Sequence, residues 1–255
     1  MKHRPREQPP APPPQEPGEA VFGLRAALAV FARRRDDILR VAHAPDLRRD
    51  LHDLLRWAAS KSVPVSEMAN EKLARVASSD HHEGVCVIAR PRHWTTPAAL
   101  ADTLVQKKGT ALALDRVRNP YNVGAVLRSA AFFGVEGVIL GAIAPHPALA
   151  PDAIRVAEGG AEHVALTRTT DLADTLGRLQ AKGVQVVGAE GTASLDVRGY
   201  EFKRPTVLVL GHEREGLSER VRARCDALVS IRGTGAIESL NVGVAAGVFI
   251  AALVR

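Results

Sequence analysis

An α/β fold in two unequal parts, with a mostly parallel sheet in the larger C-terminal part, is what this sequence predicts. Two observations carry the prediction. From Val21 onward, short apolar runs rich in Val, Ile and Leu alternate with longer stretches whose apolar residues recur at helical spacing. A strand that is followed by a helix and then by another strand returns parallel to the first, so a chain of such units builds a parallel sheet. The second is size: 255 residues with 46% apolar side chains suffice for one large or two modest cores.

The elements follow in order. Residues 1–19 contain seven prolines up to Gly18 and almost nothing to bury, so a disordered or polyproline tail is expected. Residues 20–91 read as a small α/β domain. Its expected helices are Gly23 to Arg34, Asp46 to Ser60 and Asn70 to Ala77; its expected strands are Ile38 to His43, Val63 to Val65 and Val85 to Ala89. The stretch 92–108 mixes prolines and charges with one short helical patch and reads as the connection between domains. Residues 109–255 form the second domain. It opens with a strand ending at Asp115, a loop, a helix that Asn122 could cap and Gly134 could end, and a strand from Gly137 to Leu140. Then come a helix at Asp152 to His163, a strand at Val164 to Thr167, a helix at Leu172 to Lys182 and strands at Val184 to Glu190 and Thr206 to Leu210. A helix at Ser218 to Cys225, a strand at Leu228 to Ile231 and a last helix from Ser239 complete the list. That last helix, apolar on every face, should be buried, and its small residues Gly243, Ala245, Ala246 and Gly247 would allow close packing against a second copy.

Composition bounds the function. No apolar run reaches the ~20 residues of a membrane span, and the N-terminus lacks the apolar core of a secretory signal, so a reducing cytoplasm is the expected compartment. Cys86 and Cys225 stand far apart and suggest neither a disulfide framework nor a zinc site; His81 and His82 lack a second cluster at ligand spacing, and no metal is expected. A formal net charge of +6 favours an anionic partner such as nucleic acid. With only 4% aromatic residues the chain is poorly equipped to stack on single-stranded bases, which points to recognition by shape and phosphates.

Ligands of parallel sheets gather where strands run out into loops at their carboxyl ends. Three loops stand out: 119–124, 211–216 and 232–241. No strand is followed by a dinucleotide-binding G-x-G-x-x-G, and no phosphate loop or nucleophile elbow is present. Arg128, in a helix of small apolar residues, reads equally as an ion-pair member and as a group reaching a ligand; Glu213 reads as a loop carboxylate, and Ser239 and Asn241 as helix caps.

Taken together, the loops resemble the three motifs of the SpoU–TrmH family of RNA ribose methyltransferases. N-x-G-x-x-x-R falls on Asn122, Gly124 and Arg128; G-x-E-x-x-G on Gly211, Glu213 and Gly216; S-L-N-V-x-V-A on Ser239 to Ala245. HHEGVCV, residues 81–87, is similar to the strand entrance of the ribosomal-protein-like RNA-binding domain that precedes the catalytic domain in several members. The resemblance implies a fold with a deep trefoil knot, a homodimer formed through the C-terminal domain, S-adenosylmethionine as cofactor, and a ribose 2′-hydroxyl of structured RNA, tRNA or rRNA, as methyl acceptor. It also implies Arg128 as the catalytic arginine, with Asn122, Glu213, Ser239 and Asn241 holding it and the RNA, Glu213 by a bidentate pair. Gly191, Gly211, Gly216, Ile231 and Leu240 are implied to cradle the cofactor with backbone groups. The sequence departs from the motifs at His212, Arg232, Gly233 and Gly243. Those departures leave room for a non-catalytic RNA-binding relative, and a different nucleotide-using α/β enzyme is the remaining alternative.

Overall fold

The computed structural model describes residues 18–141 and 149–254; the expected proline-rich tail lies outside them. The N-terminal part is a four-stranded sheet of β1 (Glu19–Phe22), β2 (Ile38–His43), β3 (Val65–Glu67) and β4 (Val85–Ala89), in the order β1-β4-β2-β3. Pairings β1–β4 and β4–β2 are antiparallel and β2–β3 is parallel. Helices α1 (Leu24–Arg34), α2 (His52–Ser60) and α3 (Asn70–Ala77) complete it. β1 was not anticipated, and the helix expected from Asp46 begins as a separate 3-10 turn, Pro45–Arg48, before α2.

The segment expected to be a plain connection carries α4 (Pro97–Lys107). Thr96 caps it by accepting from the Ala99 amide at 3.2 Å, Pro97 supplies a preset first-turn φ, and Leu100 and Leu104 are fully buried. α4 therefore packs as part of the second core, not as a tether.

The second part is a seven-stranded sheet in which every pairing is parallel. Its strands are β5 (Thr110–Asp115), β6 (Gly137–Gly141), β7 (Ala165–Thr169), β8 (Gln185–Ala189), β9 (Leu195–Asp196), β10 (Thr206–Leu210) and β11 (Ala227–Ser230), in the order β7-β6-β5-β10-β8-β11-β9. Its remaining helices are α5 (Pro120–Phe132), α6 (Pro151–Val156), α7 (Leu172–Gln180), α8 (Glu219–Arg222) and α9 (Val242–Leu253). Both faces are covered, which explains the unbroken apolar runs: along β10, Leu208 and Leu210 join the core shared with α5, α6, α9 and the N-terminal domain, while Val207 and Val209 face α4, α7 and α8.

The N-terminal domain docks through α1 and β1 against α6 and the turn Gly160–Glu162. The contact holds a buried ionic cluster that spacing alone could not reveal. Glu162, with a side chain 5% exposed, accepts from Arg34 Nε at 2.8 Å and from Arg92 Nη2 at 3.1 Å, and Glu19 pairs with the same two arginines. Burial by itself would lower the pKa of Arg34; the hydrogen bond to Glu162, then its charge and that of Glu19, outweigh this and hold the guanidinium above its ordinary value.

Candidate active site

The order β10-β8-β11 sets three strand exits side by side. Val209 pairs with Gly188, and Ala189 with Val229, so Gly211, Gly191 and Ile231 follow at one carboxyl edge. Beside them β5 ends at Asp115 and feeds α5. Here the helix start differs from expectation. Asn119, not Asn122, is the cap: its Oδ1 accepts from the Tyr121 amide at 2.9 Å and Pro120 takes the first helical position. Asn122 is thus inside the helix, nine-tenths buried, with its amide free to bond sideways.

That amide joins all three loops. Asn122 Nδ2 donates to Glu213 Oε1 at 2.6 Å, and Asn122 Oδ1 accepts from Asn241 Nδ2 at 3.0 Å. Asn241 at the same time caps α9, its Oδ1 accepting from the amides of Gly243 at 2.8 Å and Val244 at 3.4 Å. The capping role read from sequence is therefore carried by Oδ1, which leaves Nδ2 of the same side chain for the bond to Asn122. Gly243 allows this closeness, since a Cβ there would sit 3.0 Å from Ala125 Cβ.

The 211–216 loop closes on itself. His212 and Gly216 exchange backbone hydrogen bonds of 3.0 and 2.9 Å, and His212 Nδ1 accepts from the amides of Arg214 and Glu215. His212 thus caps its own turn as an asparagine would. A Cβ on Gly211 would fall 2.3 Å from the carbonyl carbon of Gly216, so only glycine fits. Two further links tie this loop to the end of β5, and sequence reasoning missed both: the buried Asp115 accepts from the Ser218 amide at 2.6 Å, and Arg116 pairs with Glu215 and donates to the Gly216 carbonyl at 3.2 Å. A carboxylate ending an apolar strand was the available signal for Asp115.

Arg128 is placed differently from expectation. Six residues beyond Asn122 it lies about 9 Å along the helix and about 240° around it, and its Nη1 pairs with Glu158 at 2.9 Å, not with Glu213. Within one chain, therefore, Glu213 holds Asn122 and Arg128 is held by Glu158. Ser239 and Leu240 lie exposed in the loop before α9, Leu240 at 51%. Gly191, Gly216 and Gly233 have open space where a Cβ would be, so the carboxyl edge presents bare backbone. Ile231 is half-buried against the core. Arg232 donates to the Ser194 carbonyl at 2.6 Å and so clasps the loop after β8 onto the end of β11. Next to Gly191, Glu190 is held by Arg222 at 2.7 Å, a hydrogen bond that keeps its carboxyl below the usual range.

Nucleophilic cysteine chemistry has no support here. Burial pushes the Cys86 thiol up to about 11 and that of Cys225 up to about 12. Among the described residues no group of three His, Cys, Asp or Glu could hold a metal ion; His82 Nδ1 instead accepts from the Gly84 amide at 3.0 Å. No helix among them is long and apolar enough to cross a membrane.

A parallel α/β sheet with a polar cluster at its carboxyl edge, and a small mixed sheet docked against α6 and the Gly160–Glu162 turn, defines the class: a two-part α/β protein with a candidate site at the strand exits. Comparison with known proteins gives the family. The model of the SpoU rRNA methylase family matches residues 109–251, and that of the RNA 2′-O ribose methyltransferase substrate-binding domain matches residues 20–95. The chain belongs to the SpoU rRNA methylase family. It is 37% identical over 237 residues to the 23S rRNA (guanosine-2′-O-)-methyltransferase RlmB of Ralstonia nicotianae, covering 91% of this chain and 92% of that protein. It is 35% identical over 246 residues to the RlmB of Vibrio cholerae, covering 93% and 96%. Among solved structures it resembles an AdoMet-bound rRNA methyltransferase from Sinorhizobium meliloti, with a TM-score of 0.75, 25% identity and coverage of 92% and 86%. It also shares the fold of the SpoU methyltransferase AviRb from Streptomyces viridochromogenes in complex with AdoMet, with a TM-score of 0.76, 24% identity and coverage of 93% and 90%.

Proposed function

We propose that this protein transfers a methyl group from S-adenosylmethionine to a ribose 2′-hydroxyl of ribosomal RNA, as the names of its relatives state for them. The observation that carries the reading is the hydrogen-bonded trio Asn122, Glu213 and Asn241, which draws one residue from each of three motifs to a single edge of the sheet.

The edge suits the cofactor. Glycines with unfilled space at 191, 216 and 233 leave main-chain donors and acceptors bare, as a neutral adenosine needs, and Ile231 and Leu240 offer backbone groups beside apolar side chains. When bound, the cofactor supplies an activated methyl on sulfur. This chain's residues then have two tasks: to align the ribose hydroxyl and to stabilise the charge that grows on its oxygen. Asn122, Glu213, Ser239 and Asn241 are assigned to hold the RNA and order the loop. Arg128 is assigned as a fixed cation at the developing alkoxide and a neighbouring phosphate, because a guanidinium keeps its proton.

Arg128 points away from the trio of its own chain, which supports a homodimer in which it serves the pocket of the second copy. An apolar stripe is available for pairing: α9 leaves Val244 57% and Val248 40% exposed instead of fully buried, and Gly247 has no neighbour within 4 Å of its Cβ position. The trefoil knot is supported by the insertion of β10 between β5 and β8 before the chain crosses to β11 on the far side. RNA binding is assigned to residues 20–91, methyl transfer to 109–255, and the site of action to the cytoplasm.

The test is mass spectrometry of ribose-methylated nucleosides after the full chain and S-adenosylmethionine act on deproteinised ribosomal RNA from a deletion strain. One 2′-O-methyl position should appear, and Asn122→Ala should slow its formation roughly 10- to 100-fold, the cost of hydrogen bonds to a charged partner. No new methylation with the wild-type chain would overturn the proposal, and RNA binding without cofactor affinity would favour a non-catalytic relative.

A further inference from the structure

The turn at 157–160 is wedged between the two domains, against α1 on one side and α5 on the other. On one side, a Cβ on Gly159 would meet Ala29 Cβ at 2.7 Å. On the other, a Cβ on Gly160 would meet the Leu127 carbonyl oxygen at 2.7 Å and Arg128 Cα at 3.0 Å. Two residues on, Glu162 is locked into the buried ionic cluster. The turn therefore has no slack. Glu158 occupies it with φ of +46°, the left-handed turn that directly follows the end of α6, a conformation uncommon for a residue other than glycine. Its carboxylate is shared: Oε1 takes Arg128 Nη1 at 2.9 Å, and Oε2 takes Arg25 Nε on α1 at 3.5 Å.

We propose that Glu158 is a positioning residue for Arg128, registering its guanidinium against the N-terminal domain through Arg25. The inference rests on the assignment of Arg128 to the reaction made above. A free arginine on a helix surface samples many rotamers, and each misplaced one is lost to the reaction. A carboxylate carried on a closely packed turn restricts that sampling before RNA arrives. Because Arg25 belongs to the RNA-binding domain, the same carboxylate gives the arginine a reference point on the surface that grips the substrate.

The experiment uses the full chain, S-adenosylmethionine and deproteinised ribosomal RNA from a deletion strain, with wild type, E158Q, E158D, R128A and the double variant E158Q/R128A. E158Q should lower kcat about fivefold, the upper range for a partly exposed ion pair, while KM for S-adenosylmethionine and the dissociation constant for RNA stay within about twofold. E158D, which keeps the charge, should recover part of the loss. The double variant should be no slower than R128A alone, since Glu158 acts only through the arginine. Wild-type kcat in E158Q, or losses that multiply in the double variant, would overturn the inference and leave the assignment of Arg128 standing. Undiminished kcat in R128A would instead remove that assignment and this inference with it.

Discussion

Replacing Glu162 with alanine should loosen the whole molecule, although the residue lies outside the candidate site. The side chains of Glu162 and Arg92 are each 5% exposed and that of Arg34 is 13% exposed. The substitution removes contacts of 2.8 and 3.3 Å to Arg34 and of 3.1 Å to Arg92, leaving two guanidinium groups to share Glu19. Breaking one side of a buried pair costs about 3–5 kcal/mol; because Glu19 stays and is itself partly exposed, a loss of ~3 kcal/mol is expected. For a chain of this length that is a fall in Tm of roughly 6–12 °C by scanning calorimetry. Both domains should be affected, because the cluster joins them. Glu162→Gln, which keeps an acceptor oxygen, should lose less. Asp174→Asn, at an exposed helical pair with Arg178, should leave the midpoint unmoved. A shift under about 2 °C for Glu162→Ala would refute the view that the domains are joined by this cluster.

Gly124→Ala should destabilise the protein by about 1–3 kcal/mol, because the new Cβ would fall 2.6 Å from Val156 Cβ and 2.7 Å from the Ala153 carbonyl oxygen; urea unfolding measures it, and an unchanged midpoint would contradict the close packing of α5 on α6. With thiols raised to about 11 and about 12, Cys86 and Cys225 should resist alkylation at pH 8.5 in the native protein and react in urea. The sign of the linkage follows: an unfolded thiol loses its proton near pH 8.5 and a folded one does not, so both contribute stability that is complete below that pH and falls as it rises toward 12. Equal alkylation rates in the folded and unfolded states would refute this.

Much of the fold was legible because the local signals agreed. β2, α3, β4 and β10 fall on the expected residues. What failed was where a local signal had a rival. Asn122 was read as the cap of α5, but Pro120 fixes the first turn earlier and gives that place to Asn119, which leaves the Asn122 amide to bond with Glu213 and Asn241. α4 carried a cap, a first-turn proline and helical apolar spacing, but its flanking charges read as a connection. β1 and β9, of four and two residues, are strands mainly through their neighbours. The candidate site was legible through its motifs, yet the partners within it were not. The resemblance pairs Glu213 with Arg128; within one chain the rotation of α5 sets that carboxylate against the Asn122 amide and turns the arginine toward Glu158. The Glu19, Arg34, Arg92 and Glu162 cluster was invisible for a related reason, since its members come from four separated segments.

The central place of β10 bears on how the protein comes into being. β5 and β8 are made earlier during synthesis; β5 has β6 on one side, but its other edge and that of β8 are joined only by a strand that emerges later and must slide in between them. The last motif arrives later still. A ribosome-bound fragment ending before residue 206 therefore lacks the strand that joins β5 to β8, and such late, long-range strand insertion favours slow acquisition of the native state.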